Sequence, residues 1–176
     1  MQDRRGSPDN GGTEQRHPVN DQQTVLEQFC RLPSVEPAAL IGLWKGRGIP
    51  SDHPFDGVLE NLGWFGKRFT ADLRADALLF RSGEKPLVAI DPAKIPLRLA
   101  LRFSSLGRLA VPRHLFSYLQ RGLCARGQVS SSRTVSFEGV LSAAMIYDDQ
   151  PIVDHFRRID DKRIMGAMTI RGTSIR

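Results

Sequence analysis

The apolar positions of this chain follow two rhythms. Over residues 24–40 they suit short helical pieces: Thr24-Val25-Leu26-Glu27-Gln28-Phe29 reads as an amphipathic helix stopped before Pro33, and Glu36-Pro37-Ala38-Ala39-Leu40 as one further turn. From residue 42 the spacing shortens to every second residue. Leu43 and Lys45 fall opposite Trp44, as strand alternation requires, with Gly42 and Gly46 flanking the tryptophan on its own side. Ser51-Asp52-His53-Pro54 opens a helix that runs through Phe55, Val58 and Leu59 to about Gly63. Strands are predicted over 64–69, 77–80 and 87–90, with Ser82-Gly83-Glu84-Lys85 as turn chemistry.

The middle reads two ways. Leu97, Leu99, Leu101 and Phe103 alternate with Arg98, Ala100 and Arg102 as in a strand, yet Arg98 and Arg102 are also one helical turn apart. Residues 115–119 suit a short helix. Beyond Gly122 the pattern is β-rich, with strands predicted over 123–130, 133–139, 140–147, 151–158 and 163–170. Five antiparallel strands joined by tight links make a meander that curls. With the earlier strands the total reaches about eight to ten, which suits an antiparallel up-and-down β-barrel with short helices. The fold class is therefore mainly β. Residues 1–20, rich in Gly, Asn, Gln and Pro, are expected to be a disordered tail, and residues 21–176 a single domain.

Composition changes this picture in one place. The net charge is +6 over 176 residues, but 92–133 holds eight Lys or Arg and no Asp or Glu. A block of one sign attracts anions. Its bases alternate with leucines and lack the basic–aromatic interleaving of nucleic-acid binders. The segment thus suits an anionic membrane surface, with Arg98, Arg102, Arg108 and Arg113 facing it, or else a solvated basic face. The N-terminus has no apolar core of a secretory signal, and Cys30 and Cys124 allow at most one disulfide; both point to a cytoplasmic protein with two thiols.

Three runs carry a resemblance: Gly42-Leu43-Trp44-Lys45-Gly46 with Gly48; HPFDGVLE from His53, then Gly63-Trp64-Phe65-Gly66-Lys67-Arg68-Phe69; and YDDQPIVDHFRRIDDKRIMGAM from Tyr147 to Met168. From about Leu40 to Gly172 the chain resembles the bacterial family named for its GXWXG motif, whose C-terminal half is a companion domain of unknown function. The resemblance implies a lipocalin-like barrel holding an apolar ligand, such as a lipid, and no known reaction. The family often carries an acidic residue after the C-terminal Gly-x-Met; this chain has Thr169. The Gly42-x-Trp44-x-Gly46-x-Gly48 run also resembles the opening of haem-binding nitrobindin barrels, where His155 would be late enough to be a proximal ligand.

Each candidate residue has a functional and a plain reading. Trp44 lines a ligand pocket or plugs one end of the barrel, with Arg157 or Arg158 over its ring as a cation–π partner. Trp64, Phe65 and Lys67 form an apolar wall with a basic handle, or ordinary core with surface cations. His155 binds haem or an anionic group, or is a satisfied half-buried residue. Asp56 and Glu60 share a helical face as an acid–base pair, or Asp56 complements the helix dipole. No metal-ligand spacing and no nucleophile elbow is present in the sequence. The expectation is a non-catalytic barrel without metal or cofactor, haem and a small barrel enzyme being the alternatives. Its ligand would be a lipid or similar amphiphile, exchanged at anionic membranes. The acyl part would lie on Trp64, Phe65, Phe156 and Met168, and the anionic end near Lys67, His155 and Arg157.

Overall fold

A computed structural model describes residues 21–51, 56–82, 85–95 and 122–171. The expected helix over 115–119, the ambiguous stretch 97–103 and Arg98, Arg102, Arg108 and Arg113 lie outside these residues.

The chain opens with α1 (Gln22–Arg31), longer than its apolar stripe suggested, because Asp21 caps it by accepting from the Thr24 backbone N–H. A 3-10 turn, Pro37–Leu40, leads into β1 (Gly42–Lys45). Then come α2 (Val58–Asn61), β2 (Trp64–Phe69), β3 (Arg74–Ser82), β4 (Lys85–Ile90), β5 (Ser130–Phe137), β6 (Val140–Tyr147), β7 (Ile152–Arg158) and β8 (Ile164–Ile170). The strand expected over 123–130 does not form. Cys124 instead makes one bridge to Ile90, Ala125 N–H donates to Ala89 and Asp91 N–H to Leu123, so the segment extends β4 briefly before reaching β5.

All eight strands belong to one antiparallel sheet, ordered β1-β2-β3-β5-β6-β7-β8, with β4 pairing only β3. β3 is shared: its start, Arg74 and Ala75, pairs β5, and its end, from Leu78, pairs β4. The sheet curls into a half-barrel whose edge strands are β1 and β8. Alternation then divides the side chains. Phe69, Ala75, Ala77, Met145, Tyr147, Ile152 and Phe156 form the core of the concave face. Ala144, Ile146 and Val153 lie on the convex face, packed with Val135.

The chain between α1 and β1 passes from one face to the other. Phe29 of α1 meets Phe137 edge-on at 6.0 Å on the convex side. Val35 and Leu40 belong to the concave core. Between them, Arg158 N–H donates to Pro33 and Ala143 N–H to Val35, so residues 33–35 fill the place where β6 and β7 diverge. The buried Ser142 hydroxyl secures the crossing, accepting from Val35 N–H at 2.9 Å and donating to the Phe156 carbonyl at 2.7 Å. Gly66 is required at its place: its φ is +148°, and a Cβ there would collide with the Trp44 carbonyl oxygen of the neighbouring strand.

Candidate functional site

The concave face carries one polar cluster within an apolar wall. Lys67 stands between Phe65 and Phe69 on β2, and register pairs it with Trp44. Its ammonium donates to Asp154 at 2.8 Å, to the Ala77 carbonyl at 3.1 Å and to the Tyr147 hydroxyl at 3.4 Å. Ala77 lies at a register shift between β2 and β3. Tyr147 in turn donates to Asp154 at 3.2 Å. The Lys67 and Asp154 side chains keep only 16% and 8% of their exposure. Burial, followed by the negative charge of Asp154, pushes the Tyr147 phenol well above its ordinary value, so it stays protonated at neutral pH. The cluster is net neutral and presents hydrogen-bonding groups to the concave side.

Trp44 belongs to that side too. Its indole N–H donates to the Leu40 carbonyl at 2.6 Å, and the ring packs against the concave core. The arginine expected over Trp44 is elsewhere: Arg157 lies over Phe29, 5.2 Å from the ring centroid. Arg158 turns to Asp161 at the hairpin end, 4.0 Å away. Beside Trp44 an open groove of about 400 Å³ follows β1, lined by Ile41, Gly42, Leu43, Trp44, Lys45 and Lys162. Lys162 comes from the turn joining β7 and β8, so the groove lies where edge strand β1 faces the end of the β7–β8 hairpin. Ile41 and Leu43 are 46% and 54% exposed there.

The remaining candidates separate. Phe156 is in the concave core, and Met168, opposite Asp154 in register, is half-exposed on edge strand β8. Phe65 lies under the Arg81 guanidinium, 5.6 Å from its centroid. Trp64 is paired with Phe80 in register and packs with Phe80 and Ile90. Its ring fills the space where Gly46 would carry a Cβ, which explains the second glycine of Gly-x-Trp-x-Gly. Asp56 and Glu60 support the loop after β1: Glu60 accepts from Gly48 N–H at 2.6 Å and Asp56 from Ser51 N–H at 2.7 Å.

His155 and Arg157 are convex, on the opposite face from Lys67, so these three do not gather at one ligand end. The His155 ring stacks on Phe137 with centroids 4.1 Å apart, and Nε2 lies 3.1 Å from the Thr169 hydroxyl. That placement turns the imidazole away from the half-barrel interior, where a haem ligand would have to be. Burial holds its pKa below the ordinary value; the Asp154 charge opposes this and the Arg157 charge adds to it. Arg157 is fully buried, yet its Nη2 donates only to the Phe137 carbonyl at 3.0 Å, and Nε and Nη1 have no partner. Among the described residues, no three His, Cys, Asp or Glu side chains come together to hold a metal, and Cys30 and Cys124 form no disulfide.

Neither Tyr147 nor Asp154 was expected beside Lys67 from the sequence. The signal was present: Asp154 alternates with Ile152 and Phe156, and Lys67 with Phe65 and Phe69. Two opposite charges, each alone on an apolar strand face, are stable in a core only as a pair.

Comparison with known proteins agrees with this architecture. Residues 27–85 match the family model described as GXWXG protein, and residues 128–175 match the domain of unknown function DUF4334. The chain belongs to the GXWXG family. A crystal structure of a protein from Thermomonospora curvata shares 30% identity and a TM-score of 0.61, covering 87% of this chain and 80% of that one. No curated protein matches. The two matched segments divide the one sheet, β1 to β3 lying in the first and β5 to β8 in the second. No helix among the described residues is long and apolar enough to cross a membrane.

Proposed function

We propose that this GXWXG protein is a non-catalytic carrier of a hydrophobic ligand, a lipid or similar amphiphile, admitted at the seam between β1 and the end of the β7–β8 hairpin. The observation that carries the reading is the open groove beside Trp44, apolar along Ile41 and Leu43 and rimmed by Lys45 and Lys162. Apolar burial contributes about 0.8 kcal/mol per methylene, so a chain laid along such a groove is held without any covalent step. The two rim lysines would favour an anionic amphiphile, and the basic block over 92–133 would favour exchange at an anionic membrane in the cytoplasm. The Lys67–Asp154–Tyr147 cluster acts as an anchor rather than a base. Lys67 is ion-paired, Tyr147 stays protonated, and one Asp154 oxygen already accepts from both. A neutral hydroxyl or carbonyl suits it better than a free carboxylate, which would face Asp154.

The test is native mass spectrometry of the purified protein with extraction of whatever it holds, followed by titration with a brominated fatty acid. Binding should quench tryptophan emission, with most of the quench lost in Trp44→Phe and binding abolished in Leu43→Glu, a substitution at an exposed site. A Leu43→Glu protein that binds as tightly as the parent would end the seam reading. An intense Soret band in the purified protein would favour a cofactor barrel instead.

A further inference from the structure

The convex face holds a charge that the described residues leave without a counter-charge. Arg157 has no exposure, its one hydrogen bond goes to a neutral carbonyl, and its Nε and Nη1 donors meet no acceptor. No carboxylate among the described residues lies within ion-pair distance of it, whereas Lys67 on the other face has Asp154 at 2.8 Å. A guanidinium does not lose its proton in a protein, so burial cannot be relieved by neutralisation. The Phe29 ring beneath it offsets part of the cost through its quadrupole, but supplies no negative charge.

We propose that Arg157 is the centre of a carboxylate-binding site beneath α1, with Phe29 and Phe137 as its apolar walls and His155 beside it. The charge count selects the ligand. One guanidinium with a neutral imidazole cancels a single negative charge, so a monoanionic carboxylate leaves the site neutral, whereas a phosphate dianion leaves surplus charge in an apolar enclosure. Entry is by way of α1, which has ten residues and one buried side chain, Phe29. A helix of that length is marginal on its own and depends on its docking contact. The site is separate from the seam, and its ligand can be either a small free carboxylate or the acid end of an amphiphile.

Thermal melts at fixed ionic strength with acetate, octanoate, phosphate or chloride test this on the full chain. Acetate should raise Tm by about 3–5 °C for each tenfold increase above its Kd, and Arg157→Met should remove that response. General salt stabilisation persists in the variant and is thereby subtracted. A response to octanoate alone, also lost in Arg157→Met, assigns the site to an amphiphile. Equal responses in parent and variant, or a stronger response to phosphate than to either carboxylate, overturn the proposal. If Arg157→Met does not fold, the side-chain Nε–H resonance of Arg157 in the unmodified protein decides. It should shift in a saturable way with acetate or octanoate, and an unmoved resonance overturns the site. Leu43→Glu leaves Arg157 intact, so loss of seam binding and loss of the carboxylate response are read independently.

Discussion

Two buried cations, on opposite faces of one sheet, are treated in opposite ways. Lys67 on the concave face has a carboxylate, a phenol and a carbonyl around its ammonium. Arg157 on the convex face has one carbonyl and an aromatic ring. Burying an ion costs several kcal/mol unless a counter-charge offsets it. The concave cluster is thus complete within the chain, while the convex one has no carboxylate at ion-pair distance among the described residues. A neutralised cluster gives a cavity wall its hydrogen-bonding direction; a bare cation stores an affinity for an anion.

The sharpest way to break this contrast is to remove Asp154. Asp154→Ala strands Lys67 inside and should cost about 3–5 kcal/mol in urea unfolding. Arg157→Met, which removes a charge rather than stranding one, should lie near neutral or stabilise by about 1–4 kcal/mol. Equal losses in the two variants would mean that Arg157 is as well compensated as Lys67. The double change Lys67→Met with Asp154→Leu should recover most of the Asp154→Ala loss, to within about 2 kcal/mol of the parent, because packing then replaces the pair.

A smaller effect separates the faces by pH. His155 is depressed in the folded state from its ordinary 6.5. Its contribution is therefore fully present above that value and is lost as pH falls from about 6.5 through the folded pKa, the unfolded chain binding the extra proton. Urea unfolding across that window should show stability declining toward acid, a decline absent in His155→Gln. In Arg157→Met the decline should be shallower, since the Arg157 charge is one cause of the depression; an unchanged slope would uncouple the two residues. The smallest expected change is Tyr147→Phe, about 1 kcal/mol, for the loss of hydrogen bonds that Lys67 and Asp154 make to it while their own pair remains.

How much of this was legible in the sequence varies by element. The late strands were read nearly in place, because 140–147 and 151–158 are short runs carrying β-branched and other apolar residues and are joined by turn residues. The strand expected over 123–130 was a misreading of apolar residues that pack against β4 through only a few backbone bonds. For the site, residue types were found more readily than their company. Lys67, His155 and Arg157 were all singled out. What alternation could not give was the face that each strand turns inward, and so Arg157 or Arg158 was expected over Trp44, whereas Arg157 lies over Phe29 and Arg158 turns to Asp161.

The sequence by itself determined the mainly-β class, the family and the positions of most strands, since these depend on local periodicity and on motifs whose residues are near neighbours. Only the tertiary structure decided that Trp64 is what fills the space at Gly46, that Lys67 finds Asp154 across the curl, and that Arg157 has no carboxylate within ion-pair distance among the described residues. The physical reason is that pairing of charges in a curled sheet depends on register and curvature between strands distant in sequence, and neither is encoded in the pattern of any one strand.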